Sequence, residues 1–123
     1  MSPTTVRYFV HDIEASVEFY CDRLGFHVDL PRAPGFAGLA HGELRLLLHE
    51  PGAGGAGRAG GTPEPGGWNR FQLVVDDLGA TVEHLAAQGV RFRGTIAEGP
   101  GGQQILVEDP SGNPVEIFQP KTS

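Results

Sequence analysis

Cysteine is nearly absent from this chain. Cys21 is the only one in 123 residues, which excludes an intrachain disulfide framework and a cysteine cage for a metal. A lone Cys inside a helical pattern reads as a small buried hydrophobe. Positive charge is also scarce: 9 Lys and Arg against 15 Asp and Glu give a net charge of -6. The basic residues are scattered, so no basic stripe exists for counterion release from a nucleic acid, and nucleic acid is excluded as a partner. No run reaches the roughly 18 apolar residues of a membrane span. The opening MSPTTVRYFV lacks the basic and then apolar pattern of a secretory leader. The expectation is a soluble, cytoplasmic protein. In excess are Gly, at 19, and Pro, at 10, which implies many turns in a globular chain rather than disorder throughout. A chain of this length buries roughly 65% of its unfolded surface, enough for a core without staples.

The pattern along the chain occurs twice. Val6 to Val10 is a short β-branched and aromatic run, and Asp12 then stands as a helix N-cap. Ile13, Val17, Tyr20 and Leu24 follow at helical spacing, and Gly25 closes the helix. Phe26 to Leu30 read as a strand ended by Pro31. Gly35 to Ala40 and Glu43 to His49 read as two more, joined by a turn at His41-Gly42. Adding 65 to Val10, Asp12, Ala15, Val17 and Glu18 gives Val75, Asp77, Ala80, Val82 and Glu83, while Ser16 falls on Thr81. One deleted position then brings Gly25 onto Gly89. Phe71 to Val75 form the strand of this second unit, Leu78, Val82 and Leu85 the apolar stripe of its helix, and Val90 to Phe92 open the next strand. Gln103 to Glu108 make another strand, Asp109-Pro-Ser-Gly-Asn113 a turn, and Pro114 to Gln119 the last strand. GPGG at residues 99–102 is a turn leading into a strand, so it has no helix N-terminus with which to cradle phosphate.

Each half is therefore β-α-β-β-β, in an α+β class. Neither half has enough apolar surface to stand alone, so the two are expected to share a core. The expected organisation is one domain over residues 1–123, with module 1 at about 4–50, a Gly/Pro-rich linker at 51–67 and module 2 at about 68–120. A linker of that length leaves open whether the second half folds beside the first or onto a partner chain.

VHDIEASVEFYCDRLGF, LVVDDLGATVEHLAAQGVRF and ILVEDPSGNPVEIFQP resemble the vicinal oxygen chelate superfamily, which includes glyoxalases, bleomycin resistance proteins and extradiol dioxygenases. The resemblance spans nearly the whole chain apart from the linker. It implies tandem βαβββ modules forming a half-barrel cleft, a homodimer, and a small-molecule ligand. In the metal-dependent members each module gives ligands from its first and last strands. Carried over position by position, those places are Thr5 and Arg70 on the first strands and Leu46 and Glu116 on the last. The family pattern calls for His, Gln or Glu there, and only Glu116 fits.

A catalytic divalent site generally needs about three protein ligands and an open position. No cofactor is therefore expected, and a divalent metal would need an unorthodox set, for which His27, His41 and His49 are the candidates. Strand alternation sends Arg70, Gln72 and Val74 to one face, and Pro114, Glu116 and Phe118 to one face of theirs. With the geometry the resemblance implies, Arg70 pairs with Glu116 and supplies the positive charge a metal would have given. Trp68, Phe71, Phe36, Phe9 and Tyr8 lie nearby in sequence as core or cavity lining. The expected ligand-binding set is Arg70, Glu116, Thr5, Leu46, Gln72, Trp68 and Phe118.

Two functions stay open. One is a metal-independent protein that binds an anionic or aromatic small molecule. The other is a lyase, isomerase or dioxygenase with Glu116 as general base and either Arg70 or an unorthodox metal as electrophile. A carboxylate already paired with a guanidinium is a poor base, which favours the first.

Overall fold

A computed structural model describes residues 4–51 and 63–121, so most of the linker expected over 51–67 lies outside the described residues. The chain divides into two compact units, one made of residues 1–66 with Pro110–Asn113, the other of Gly67–Asp109 with Pro114–Ser123.

In the first unit β1 (Thr4–Phe9) leads to α1 (Ile13–Glu18), a π-helical turn (Phe19–Arg23), β2 (His27–Ala33), β3 (Phe36–His41) and β4 (Leu44–His49). The sheet order is β1-β4-β3-β2, with β1 parallel to β4 and the other neighbours antiparallel. The second unit repeats it: β5 (Gln72–Val74), α2 (Leu78–Ala87), β6 (Arg91–Gly99), β7 (Gly102–Glu108) and β8 (Pro114–Pro120), in the order β5-β8-β7-β6. This is the tandem βαβββ pattern read from the sequence.

The local chemistry of the two helix starts is the same. Asp12 Oδ1 accepts from Ala15 N at 3.1 Å, and Asp77 Oδ1 from Ala80 N at 3.0 Å. Ser16 and Thr81 donate their hydroxyls back to the carbonyls of Asp12 and Asp77, so each cap is closed in both directions. Gly25 and Gly89 both have φ +78°, the left-handed conformation that ends a helix and that a side chain would oppose. Beneath each helix lies an apolar sheet face. Leu39, Leu46 and Leu48 are fully buried in the first unit, as are Leu78, Val107 and Val115 in the second. Each buried Leu contributes roughly 1.5–3 kcal/mol.

Several strand boundaries differ from the sequence reading, those of β2, β6 and β5 among them. The strand expected to end at Pro31 continues to Ala33. β2 is an edge strand whose pairing with β3 shifts between Leu30 and Ala33, so the missing N–H of Pro31 is tolerated there. β6 extends to Gly99, again at a sheet edge and mostly exposed. β5 is only 3 residues long. No helix among the described residues is long and apolar enough to cross a membrane.

Candidate functional site

In the second unit the register fixes which side chains share a face. Gln72 lies opposite Glu116 and Val74 opposite Phe118, while Leu106 and Gln104 flank Glu116 and Phe118 from β7. Alternation puts Leu73, Ile105 and Ile117 on the other, buried face. Arg70, just before β5, turns back onto the same face as Glu116. Its Nε donates to Glu116 Oε1 at 3.0 Å, and Gln72 Nε2 donates to Glu116 Oε2 at 2.6 Å. Arg70 Nη1 also donates to the carbonyl of Trp68 at 3.2 Å. The structure therefore brings Arg70, Gln72 and Glu116 together, and Glu116 is only 8% exposed.

A second ion pair extends this face. Arg93 Nε donates to Glu108 Oε2 at 2.7 Å and Nη1 to the carbonyl of Gly67 at 2.7 Å. Its guanidinium sits 4.5 Å from the ring centroid of Trp68, a cation–π contact that holds the indole in place although the residue is 68% exposed. The face thus combines balanced charge with an exposed indole, the half-buried ring of Phe118 and the exposed Val74. Arg93, Glu108 and Leu106 were not among the residues singled out from the sequence. The alternation of Arg91 with Arg93 was visible there, but assigning them to faces needs the β6–β7 register.

In the first unit Thr5 is exposed on β1 opposite Arg45. Leu46 lies on the other face of that sheet, fully buried opposite Val6 and Leu39. The residue equivalent to Glu116 is Leu47, since Arg7 pairs with Leu47 as Gln72 pairs with Glu116. Counting from glycine misplaces it by one residue. Gly42 opens the short turn between His41 and Leu44, whereas Gly112 comes late in the longer turn between Glu108 and Pro114. On the Thr5 face Phe9, His49 and Phe36 form one row across β1, β4 and β3. His49 is 8% exposed. Burial first, and the charge of Arg7 second, hold its pKa below the ordinary 6.5.

The family model of the Glyoxalase/Bleomycin resistance protein/Dioxygenase superfamily matches residues 3–117. The chain belongs to this superfamily. It is 28% identical over 120 residues to a bleomycin resistance protein of Geobacillus stearothermophilus, a match covering 89% of this chain and 90% of that one. Among solved structures, TnmS3, an antibiotic binding protein from Streptomyces sp. CB03234, is 27% identical with a TM-score of 0.75, covering 98% of this chain and 97% of that one. A superfamily member from Sphaerobacter thermophilus DSM 20745 shares the fold at a TM-score of 0.77 and 23% identity, covering 97% of each chain.

The superfamily's metal-dependent pattern does not fit the residues present. Both oxygens of Glu116 already accept hydrogen bonds, from Arg70 and Gln72. Arg70 and Leu46 have no ligating group for a cation, and Thr5 offers a hydroxyl. Within either unit, no three His, Cys, Asp or Glu side chains among the described residues are grouped to hold a metal ion. His41 lies opposite Leu44 at one end of β4 and His49 is at the other.

Proposed function

We propose that this superfamily member binds a small organic molecule on the polar face of its second sheet, with no divalent metal at the superfamily's ligand positions. The observation that carries the reading is the sharing of Glu116 between Arg70 and Gln72. A metal would have to displace both donors and would then sit beside a guanidinium. Arg70 instead brings the positive charge itself, and its remaining N–H groups are donors for a carbonyl or anionic group. Trp68 and Phe118 supply aromatic surface beside it. The likeness to a bleomycin resistance protein and to an antibiotic binding protein supports a drug-like aromatic ligand. Glu116 as the base of a lyase, isomerase or dioxygenase is the weaker reading, since a substrate proton would compete with two donors already in place. The homodimer expected from the sequence is part of the proposal. In sedimentation equilibrium it predicts twice the 13.1 kDa chain mass, and the single-chain mass alone would remove it.

Trp68 is the only tryptophan, so its emission reports directly on this face. Titration with bleomycin and a panel of aromatic antibiotics should give a saturable change with at least one of them. Arg70→Ala should then weaken that ligand by about 2 kcal/mol, roughly 30-fold. A flat response across the panel, or stoichiometric zinc, nickel, iron or manganese in protein purified without chelator, would overturn the reading.

A further inference from the structure

The face of the first sheet that carries Thr5 holds an unexplained polar group. Both ring nitrogens of His49 are buried without a hydrogen-bond partner, the only buried side-chain N or O atoms in that state among the described residues. A neutral imidazole has one N–H donor and one acceptor, and buried groups of this kind are almost always partnered. Its neighbours in register cannot satisfy it. Phe36 stands edge-on at 4.9 Å between ring centroids and Phe9 is tilted at 6.1 Å, and both are hydrocarbon. The next row is Arg7, Leu47 and Gly38, with the side chain of Leu30 lying over Gly38. Arg7 is exposed, and none of the ion pairs among the described residues includes it. The row therefore offers aromatic walls, a donor and an acceptor without a partner, and one row away a cation that enters no ion pair among the described residues.

We propose that Phe9, His49, Phe36 and Arg7 form a binding subsite for a flat aromatic group that carries an acidic oxygen, a phenol or an aryl carboxylate. The aryl ring packs against Phe9 and Phe36, the oxygen pairs with the imidazole, and the Arg7 guanidinium balances its charge. Phe9 and Phe36, whose rings flank His49, are only half-buried. The subsite rests on the reading of the chain as a small-molecule binder, and extends it to a ligand class and to residues on a different sheet.

Salicylate, which carries both kinds of oxygen, is the probe. The ring nitrogens of His49, assigned against His49→Phe, are followed by nitrogen-15 NMR in the full chain while Trp68 emission with bleomycin or another antibiotic of the panel is measured separately. Saturable binding of salicylate that shifts the His49 nitrogens, with at least tenfold weakening in both Arg7→Gln and His49→Phe, supports the subsite. His49 nitrogens unmoved up to saturation, no binding, or wild-type affinity in both variants overturns it, and the NMR result holds even where a variant fails to fold. A responding Trp68 with a silent His49 removes the subsite and leaves the second-sheet reading standing. A silent Trp68 with a responding His49 does the reverse.

Discussion

Burying the carboxylate of Glu116 is tolerable because a guanidinium and an amide share it. Removing Arg70 leaves that carboxylate with Gln72 alone. Arg70→Ala should therefore cost about 1–2 kcal/mol of stability, the low end for a broken pair because the Arg70 side chain is 30% exposed. Glu116→Gln keeps an acceptor for Arg70 while removing the charge, so it should cost less, and urea titration of both single variants and the double measures their coupling. His49 makes a prediction about pH. Its folded-state pKa lies below the unfolded value of 6.5, so in acid the unfolded chain binds a proton that the folded chain refuses. Stability from this group is complete above about pH 7.5, falls as pH drops through 6.5, and keeps falling until the folded pKa is passed. Urea unfolding at a series of pH values should show this slope in the wild type and a shallower one in His49→Phe. An identical slope in both would discard the assignment. At this scale the sequence was legible where alternation alone decides: Gln72 and Glu116 share a face because they pair on regular strands, and Arg70, just outside β5, reaches that face through its bond to Glu116. It was illegible where register depends on a turn, which is why Leu46 stood in for Leu47 and the unsatisfied state of His49 had no signal at all.

Whole elements followed from the sequence because caps, stripes and stops coincided in both halves. The single mismatch, one extra residue between Asp12 and Gly25 relative to Asp77 and Gly89, has a structural counterpart. The first helix absorbs it as the π-helical turn Phe19–Arg23, the usual way a helix takes in one residue without losing its ends. The turn carries Tyr20 into full burial, edge-on to Phe19 and Phe26, so the insertion adds to the core. The edge strands β2 and β6 were underestimated for the reason that applies to edges generally: their residues are exposed and need no apolar pattern. Where β6 turns into β7, Gly102 has φ +152°, and a Cβ there would collide with the backbone carbonyl of Gln119 on β8. Gly102→Ala should lower stability by roughly 3 kcal/mol or more. Gly99→Ala, at the other end of the same turn with open space around it, should stay within about 0.5 kcal/mol. Thermal unfolding of the two variants side by side tests the contrast, and equal midpoints would mean that β8 does not pass so close.

At the scale of the molecule, the two halves of the sequence are not the two units. Asp109-Pro-Ser-Gly-Asn113 was legible as a turn from its composition, but composition could not say what the turn holds. Asn113 is 4% exposed. Its Oδ1 accepts from Gly66 N at 2.6 Å and its Nδ2 donates to the carbonyl of Phe9 at 2.7 Å, across 104 residues of chain. Ser111 Oγ accepts from His11 N at 2.8 Å. The first unit is therefore closed by residues that lie between two strands of the second sheet, and β8 begins at the very next residue, Pro114. Releasing Asn113 from Phe9 and Gly66 removes both of these closing contacts from the first unit. Asn113→Ala leaves the part-buried N–H of Gly66 and the part-buried carbonyl of Phe9 without this partner, and should cost about 1–2 kcal/mol, read in calorimetry as a lower midpoint. An unchanged midpoint would show that this turn is not what closes the first unit.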